Sequence, residues 1–503
     1  MNVNLVHLPT IRLELVDYRN KRLGINGPMR LGNAYPNIMP SSLPRVAGAI
    51  RGGVGGEREI RVGITDLRAI APLEEKHFKT VRWEGHRVDV MRVGASFEQA
   101  EAAIRSSDVL GLSSHFTYES GVIVEFMGFA KRLKPGVLIA VGGADVRARP
   151  EYYLQNGADI VLTGDVKPEE LKSPRGKRIV DYRIPFGELA KPAFDLLPNL
   201  SRYVDSHDGP VPEGVPTPIA FVYFTRGCFR DCGYCETAGT RHEMIDLQIA
   251  ELMARHYKDS GIRTLNIIDD NLLLGVRKYS GGKVVGTNEG ARDKVISLFG
   301  MLGGMGFAWE FPNGLEVGLL ADENGRLDEE LIRALFYRAR NERGEIVGAY
   351  RLYFPIETFE KREGQKKLRE LAVQDEVIRY LCSSGIPEIA FGVIIFENAT
   401  RGTFDRTKEE YARIKSIVTG SGNGGTKARY TLFHLAPIAT YRGRTDYSDP
   451  ELTGFFYTPT VRGTLSPKER FELGLEVSLE VDPVNFRSMV ESGAYRYGKY
   501  SPE

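Results

Sequence analysis

Short and almost continuous apolar runs alternate with stretches of helical pattern between residues 3 and 165 of the chain. The runs are VNLVHL, IRVGIT, RVDVMRV, DVLGLSS, VLIAVGG and DIVLTGD. Strands of a parallel sheet read in this way, because helices cover both faces of the sheet and bury both sides of each strand. The pattern therefore predicts an α/β fold that begins with a doubly wound, Rossmann-like domain over 1–170. Its ligands would bind at the carboxyl ends of the strands.

A second series of strand patterns follows a segment of different composition. Residues 171–215 are rich in proline, glycine and charge, so we interpret them as an interdomain linker. The next region, 216–440, contains PIAFVYFT, TLNIID, FAWEFP, YRLYFPI, EIAFGVIIF and YTLFHLAP, separated by segments of helical length. This order predicts a partial (βα)6 barrel of the TIM type, with functional residues at the carboxyl ends of its strands. Residues 441–503 show no clear repeat and are expected to form a small C-terminal segment that closes one end of the barrel.

The spacing of apolar residues predicts that the helix after the first barrel strand has one apolar face. Ile245, Ile249 and Leu252 fall on one face of a helix, whereas Glu251 and Arg255 fall elsewhere. We therefore expect this helix to pack on the sheet through those three apolar side chains.

Charge and hydropathy narrow the classes of function. The 503 residues include 67 basic and 66 acidic side chains, so no broad positive field favours nucleic-acid binding. A small-molecule or peptide substrate is the better expectation. The chain has no apolar run long enough to span a membrane, and its N-terminus lacks the pattern of a secretory signal. The sequence predicts a soluble, cytoplasmic protein.

Three of the four cysteines form a CxxxCxxC loop, Cys228, Cys232 and Cys235, directly after the first predicted barrel strand. Clustered thiols without a disulfide pattern favour metal binding, and thiolates suit iron–sulfur clusters or zinc. A four-iron cluster with three cysteine ligands keeps one iron open for a substrate or cofactor. The alternative is a non-catalytic zinc-binding protein in which His242 completes a set of three cysteines and one histidine.

The cysteine loop and its position resemble the radical S-adenosylmethionine superfamily, whose signature is CxxxCxxC after the first strand of a partial (βα)6 barrel. The resemblance implies a 4Fe-4S cluster that reduces S-adenosylmethionine to give a 5′-deoxyadenosyl radical. It also implies that residues of the cysteine loop and of later strand ends contact S-adenosylmethionine. Those residues are Tyr234 near the adenine, Asp269, Asp270 and Asn271 near the methionine part, Glu357 near the ribose, and Ile394 beside the adenine.

The segment from Val109 to Asp165 resembles the cobalamin-binding domain that is fused to many radical enzymes. Its strand ends carry Ser-Ser, Gly-Gly and Gly-Asp, and glycines at such positions let the backbone approach a large ligand. Asp145 stands where relatives usually have a histidine. The resemblance implies that cobalamin is bound by Ser113, Ser114, Thr117, Gly142, Gly143, Gly164 and Asp165.

Both resemblances together are typical of the cobalamin-dependent radical S-adenosylmethionine methyltransferases. They imply methyl transfer through methylcobalamin to an unactivated carbon or phosphorus, and an electron donor such as flavodoxin or ferredoxin. A cyclisation or rearrangement with the same cofactors is the nearest alternative, because related enzymes with this architecture perform such reactions. The identity of the substrate is not encoded in any motif of the chain.

Overall fold

The computed structural model divides the chain into two compact units. The first is formed mainly by Met1–Arg202 and the second mainly by Tyr203–Phe433. Of the C-terminal region, 449–454 belongs to the first unit and 465–484 to the second. The structure describes residues 1–31, 37–52, 60–70, 73–166, 168–171, 176–188, 191–206, 209–232, 235, 237–280, 283–357, 371–396, 398–421, 425–434, 449–454, 465–484 and 486–487.

The first unit contains strands and helices that are mostly short. Its described strands are β1 (Asn2–His7), β2 (Thr10–Leu15), β3 (Met29–Leu31), β4 (Arg61–Asp66), β5 (Glu74–Trp83), β6 (His86–Gly94), β7 (Val109–Ser113), β8 (Leu138–Gly142), β9 (Ile160–Leu162) and β10 (Arg178–Val180). Its described helices are α1 (Leu43–Gly52), α2 (Glu101–Ser106), α3 (Ser120–Leu133), α4 (Ala144–Ala148), α5 (Pro150–Gln155) and α6 (Pro168–Leu171).

A six-stranded parallel sheet forms the centre of the first unit, in the order β10-β9-β8-β7-β1-β4. Val3, Leu5 and Val109 from the strands share a buried core with Ala47 and Ile50 of α1. The direction of winding reverses between β1 and β7, which creates a crevice at the carboxyl ends of these two strands. The predicted parallel, doubly wound sheet is therefore confirmed.

One of the predicted strands lies in a different sheet. The sequence predicts RVDVMRV as a member of the parallel sheet, but β6 belongs to a four-stranded antiparallel sheet in the order β3-β2-β6-β5. Along β6, Val88 and Val90 are buried, whereas Asp89 and Met91 are only partly covered. This alternation is typical of a sheet that buries one face.

The first part of the predicted linker belongs to the first unit. β10 pairs in parallel with β9, and Ala193 is part of the same hydrophobic core as the central strands. Phe186 and Phe194 are also buried. Composition is misleading here because a three-residue edge strand between prolines and glycines has the composition of a loop.

The second unit contains longer helices. Its described strands are β11 (Asp205–Ser206), β12 (Gly209–Pro210), β13 (Ile219–Val222), β14 (Thr225–Arg226), β15 (Glu243–Met244), β16 (Thr264–Ile267), β17 (Arg277–Ser280), β18 (Lys283–Thr287), β19 (Ala308–Phe311), β20 (Arg338–Arg340), β21 (Ile346–Glu357), β22 (Glu388–Ile395) and β23 (Lys427–His434). Its described helices are α7 (Leu247–Asp259), α8 (Glu289–Gly304), α9 (Glu329–Leu335), α10 (Leu371–Ser384), α11 (Arg401–Gly420) and α12 (Pro467–Val481).

The main sheet of the second unit follows the order of the chain, β13-β16-β19-β21-β22-β23, and β20 adds to it beside β21. The first five strands pair in parallel. All six predicted strands are present, and α7 to α11 lie between them along the chain. A parallel α/β sheet is confirmed, whereas its closure into a partial barrel stays a prediction.

The predicted face of α7 is wrong. Leu252 is 55% exposed, and Ile245 is buried but precedes the helix. The buried face is formed instead by Ala250, Met253, Ala254 and Tyr257. The spacing of large apolar residues therefore does not predict this face, because two of its four buried side chains are alanines.

A buried ladder of charges crosses four neighbouring strands of this sheet. Arg351 pairs with Glu310 at 3.0 Å and with Glu388, and Glu388 also pairs with Arg429. Arg351 donates a further hydrogen bond to Ser206 Oγ at 2.7 Å. All four charged side chains of the ladder are buried, so each depends on an oppositely charged neighbour for its compensation.

The predicted C-terminal segment is divided between the two units. α12 packs against α11, and Lys415 Nζ donates to the carbonyl oxygen of Val481 at 3.1 Å. Glu451, in contrast, forms an ion pair with Lys79 of the first unit at 2.6 Å. α12 therefore packs with the helices of the second unit, and closure of one end of the barrel by 441–503 stays a prediction. Among the described residues, no helix combines the length and apolar content that crossing a membrane requires.

Candidate functional site

The three predicted metal ligands lie on one loop beyond the carboxyl end of β13. The loop runs between β14 and β15, which pair as an antiparallel ribbon. Cys228 and Cys232 are buried, and Cys235 is half-buried. The backbone N–H of Cys228 donates to Thr240 Oγ1 at 3.0 Å, and its carbonyl accepts from the N–H of Thr240 at 3.0 Å. These two bonds fix the first cysteine against the far end of the loop.

The donor set fits an iron–sulfur cluster. Burial, together with smaller contributions from the nearby Cys235, Glu316 and Cys232, raises the pKa of Cys228 to about 11. Among the described residues, no three Cys, His, Asp or Glu side chains converge as the ligands of one metal ion would. A four-iron cluster does not require such convergence, because its cysteines bind different iron atoms.

His242, the fourth ligand of the zinc alternative, has another partner in the structure. Its Nε2 donates to the carbonyl oxygen of Asn271 at 3.1 Å. The ring lies beside Gly275, since a Cβ placed on that glycine would be 3.4 Å from the histidine Cε1. Burial lowers the pKa of His242 and so disfavours its charged form. His242 therefore connects the end of the cysteine loop to Asn271, which follows the carboxyl end of β16.

Asp269 and Asp270 hold the backbone that leads into the cysteine loop. The buried carboxylate of Asp269 accepts from the N–H of Phe224 at 3.1 Å and from both the N–H and hydroxyl of Thr225. Asp270 Oδ2 accepts from the N–H of Gly227 at 2.7 Å. Burial raises the pKa of Asp269 to about 7, while these hydrogen bonds act in the opposite direction. Asp269 thus holds the segment that enters β14, and Asp270 contacts the first residue of the loop that presents the thiols.

Asn271 lies in a buried polar group that the sequence did not indicate. Its Nδ2 donates to Glu316 Oε2 at 2.8 Å, and its Oδ1 is buried without a hydrogen-bond partner among the described residues. Glu316 also pairs with Arg230, which lies between the first two cysteines. An unpaired buried acceptor beside the cysteine loop fits a ligand that carries N–H donors, such as the ammonium of S-adenosylmethionine.

The remaining predicted contacts to S-adenosylmethionine are only partly described. Tyr234 lies outside the described residues. Glu357 is the last residue of β21, and its side chain is outside the described part of the structure. Ile394 is half-buried near the end of β22. Glu357 is in register with Val393, so both predicted positions lie at the same edge of the sheet as the cysteine loop.

In the first unit, polar residues meet at the crevice between β1 and β7. Ser113 Oγ lies 3.1 Å from Ser42 Oγ, and this hydroxyl pair retains capacity for a further hydrogen bond. His7, at the end of β1, has its Nδ1 2.8 Å from Asp66 Oδ1 at the end of β4. His115 lies 3.1 Å from Ser41 Oγ, and burial lowers its pKa to about 4. The crevice thus offers polar groups to a large polar ligand, which fits cobalamin.

Ser114 and Thr117 belong to a closed network around Asp145, which is fully buried. The Asp145 carboxylate accepts from Thr117 Oγ1, from Arg149 Nε at 3.1 Å and Nη2 at 2.6 Å, and from the Tyr153 hydroxyl. Tyr153 also contacts Ser114 Oγ at 2.7 Å. Asp145 therefore organises two of the predicted cobalamin-binding hydroxyls, Thr117 directly and Ser114 through Tyr153.

The glycines at the strand ends have close backbone neighbours within the unit. Gly143 has a φ of +119°, and a Cβ there would lie 2.2 Å from the carbonyl oxygen of Ser114. A Cβ on Gly164 would lie 2.2 Å from the carbonyl oxygen of Tyr182, whereas Gly142 has only ordinary contacts. Asp165 Oδ2 accepts from the N–H of Ile184 at 2.8 Å. These contacts explain the residue types, and the role of these positions in cobalamin binding stays a prediction.

Comparisons with known proteins agree with this arrangement. The family model of the B12 binding domain matches residues 79–171. The chain is 29% identical over 149 residues to tRNA-2-methylthio-N(6)-dimethylallyladenosine synthase from Actinobacillus succinogenes, covering 28% of each chain. It is 23% identical over 338 residues to cytidylyl-2-hydroxyethylphosphonate methyltransferase from Streptomyces wedmorensis, covering 57% of each chain. The matches thus span about a quarter to just over half of the length of these relatives.

A solved structure extends the likeness of fold to nearly the whole chain. It is the radical S-adenosylmethionine methyltransferase TsrM from Kitasatospora setae with cobalamin and a 4Fe-4S cluster bound, with a TM-score of 0.53 and 11% sequence identity. The match covers 99% of this chain and 91% of TsrM. In sequence and in fold, this chain therefore resembles the cobalamin-dependent radical S-adenosylmethionine enzymes.

Proposed function

We propose that this protein is a cobalamin-dependent radical S-adenosylmethionine methyltransferase, with a small-molecule or peptide substrate methylated at an unactivated carbon or phosphorus. The observation that carries the proposal is the loop with three buried or half-buried thiols at the carboxyl edge of a parallel sheet. The same chain carries a match to the B12 binding domain. The first unit would bind cobalamin, and 216–440 would form the partial (βα)6 barrel.

The residues of the second unit divide into ligands and supports. Cys228, Cys232 and Cys235 would bind a 4Fe-4S cluster, which when bound supplies an electron to S-adenosylmethionine. Asp269 and Asp270 hold the backbone ahead of the first cysteine, because their carboxylates accept hydrogen bonds from the N–H groups of Phe224 and Gly227. This support fixes where the thiols are presented before the cluster binds.

Binding of S-adenosylmethionine would use the strand ends that surround the loop. Asn271 Oδ1 would accept a hydrogen bond from its ammonium group, since this buried oxygen has no partner of its own among the described residues. Tyr234 and Ile394 would contact the adenine, and Glu357 would bind the ribose. These three roles rest on their positions in the chain and on the resemblance.

The crevice of the first unit would bind cobalamin, which when bound carries the methyl group. Ser113 is the predicted contact whose hydroxyl retains hydrogen-bonding capacity. Ser114 and Thr117 would act from within the Asp145 network, and Gly142, Gly143, Gly164 and Asp165 would shape the adjoining loops. An external one-electron donor such as flavodoxin or ferredoxin would complete the system.

The test is anaerobic reconstitution with iron, sulfide and hydroxocobalamin, followed by metal analysis and mass spectrometry of the products of S-adenosylmethionine. We expect about four irons and one cobalt per chain, with both deoxyadenosine and S-adenosylhomocysteine formed in step with methylated product. Cys232→Ala should lose the iron and both products. Cys382→Ala is the matched control, because Cys382 is also buried but lies on α10.

Each other outcome has a definite meaning. Zinc without iron would overturn the proposal and favour the zinc-binding alternative. Iron without cobalt would remove methyl transfer through cobalamin. Deoxyadenosine without S-adenosylhomocysteine would favour the cyclisation or rearrangement reaction.

A further inference from the structure

Arg230 is a buried cation inside the cysteine loop. It lies between Cys228 and Cys232, and only 7% of its surface is exposed. Its guanidinium donates through Nε to Glu316 Oε2 at 3.3 Å and through Nη2 to Glu316 Oε1. Glu316 is 4% exposed, so both charges of this two-point ion pair are removed from water. A planar guanidinium that binds both carboxylate oxygens fixes orientation as well as distance.

The same carboxylate fixes a second side chain. Glu316 Oε2 accepts from Asn271 Nδ2 at 2.8 Å. The amide group of Asn271 cannot turn over without placing its oxygen against the carboxylate. Asn271 Oδ1 is therefore held as an acceptor, and it has no hydrogen-bond partner among the described residues. Glu316 thus connects the cysteine loop to the amide that we assign to S-adenosylmethionine.

An aromatic residue covers the other side of Arg230. The guanidinium lies 4.5 Å from the ring centroid of Tyr279, a cation–π arrangement that favours a fixed position of the charge. Tyr279 also contacts the ring of Phe229 edge to face, with 6.0 Å between centroids. Phe229 and Arg230, the two residues that follow Cys228, therefore both pack against Tyr279 of β17.

A buried ion pair of this kind is weak evidence for stability alone. Desolvation of two charges offsets most of their attraction, and apolar pairs of similar volume often stabilise a protein equally well. What the pair provides is a fixed geometry, because neither charge can move without leaving the other unpaired. Arg230 lies on the loop that carries the thiols, whereas Glu316 lies beyond β19, 86 residues away in sequence.

We infer that Arg230 and Glu316 are positioning residues that lock the cysteine loop in the conformation that receives the cluster, and that Glu316 also orients Asn271 toward S-adenosylmethionine. This inference rests on the proposed function. It assigns the two residues no contact with the reacting atoms. Their effect passes through Cys228, Cys232 and Asn271.

The experiment uses the full chain, reconstituted anaerobically with iron and sulfide. The variants are Arg230→Met, Arg230→Lys, Glu316→Gln and the double variant with Arg230→Met and Glu316→Gln. Arg255→Met is the control, because Arg255 forms an exposed ion pair with Glu251 on α7 of the same unit. Three quantities are measured: the thermal midpoint of the cluster-free protein, the rate of cluster loss to a chelator, and the change that S-adenosylmethionine causes in the EPR spectrum of the reduced cluster.

We expect Arg230→Met to accelerate cluster loss about 10- to 100-fold, the usual effect of removing a group that supports metal ligands. Arg230→Lys should recover part of this effect, since it restores the charge but not the two-point geometry. Glu316→Gln should weaken the EPR response to S-adenosylmethionine more than it accelerates cluster loss, because a Gln amide leaves both orientations of Asn271 available. Arg255→Met should match the wild type.

The double variant separates positioning from stability. It removes both charges, so no unpaired buried charge remains and the thermal midpoint should return toward that of the wild type. Cluster loss should stay fast if the pair positions the loop. Recovery of both properties in the double variant would overturn the inference, as would a rate for Arg230→Met equal to that of Arg255→Met. Failure of the wild type to bind iron would instead overturn the proposed function.

Discussion

Asp145 offers the sharpest test of how the first unit is held together. Its carboxylate is fully buried and accepts hydrogen bonds from Thr117, Arg149 and Tyr153. Arg149 is itself 5% exposed, and its hydrogen bond with Asp145 raises its pKa although burial lowers it. Burial raises the pKa of Tyr153 far above its usual range, and the Asp145 charge adds to this, so the phenol stays neutral and can donate.

Asp145→Ala removes the common partner of these three groups. Breaking a buried ion pair from one side leaves an unpaired buried charge and costs about 3–5 kcal/mol of the free energy of unfolding. For a unit of this size, such a loss lowers the thermal midpoint by about 6–20 °C. Asp145→Asn keeps the volume and some acceptors but loses the charge, so we expect a smaller loss of about 2 kcal/mol.

A matched control exists in the same unit. Glu101 and Arg105 form an ion pair with the same four-residue spacing as Asp145 and Arg149, but their side chains are 43% and 57% exposed. Glu101→Ala should cost less than about 0.5 kcal/mol, because exposed helical pairs contribute little. Differential scanning calorimetry of the cobalamin-free protein measures both variants. An Asp145→Ala midpoint no lower than that of Glu101→Ala would refute the assignment of Asp145 as the organising residue.

Three further predictions follow from the second unit. Gly227→Ala should speed cluster loss and lower the thermal midpoint, because Gly227 has a φ of +81° and a Cβ there would lie 2.1 Å from a backbone carbonyl oxygen. Gly261→Ala is the control and should cost only about 1 kcal/mol, because Gly261 has a similar φ of +87° but no atom within 4 Å of its Cβ position. Equal effects of the two variants in calorimetry would contradict this prediction. Glu388→Ala should cost about 3–5 kcal/mol in urea unfolding, since it leaves two buried arginines of the ladder without this partner, and a loss below about 1 kcal/mol would argue against the ladder. The pKa of Asp269 is about 7 in the folded state, against an ordinary value of 3.8. Between these two pH values the folded state binds more protons than the unfolded state, so the free energy of unfolding of the wild type falls as pH rises, by about 4 kcal/mol at most. The cost of Asp269→Asn should therefore be larger at pH 5 than at pH 8, and a cost that does not change with pH would contradict the shift.

The elements that the sequence predicted well are those whose burial is visible in local pattern. The central strands of both sheets have continuous apolar runs, because neighbours cover both of their faces. RVDVMRV was placed in the wrong sheet because its pattern does not identify its partner strands, and three of its residues alternate with buried ones. The spacing of large apolar residues does not identify the buried face of α7, because two of its four buried side chains are alanines and a third is a tyrosine.

The candidate site divides in the same way. The sequence alone indicated the three candidate thiol ligands, since CxxxCxxC is a local signal and a strand directly precedes it. It also indicated Asp269, Asp270 and Asn271, although only the structure shows that the two aspartates hold the backbone from Phe224 to Gly227, ahead of the first cysteine. The sequence singled out Asp145, but its three side-chain partners, Thr117, Arg149 and Tyr153, became visible only in three dimensions.

Glu316 could not be found from the sequence. It lies 86 residues from Arg230 and belongs to no motif, so nothing in its neighbourhood distinguishes it from a surface glutamate. Sequence patterns report local conformation and burial, because both depend on near neighbours along the chain. A buried ion pair depends on which strand ends the topology brings together, and that is decided only when the sheet assembles.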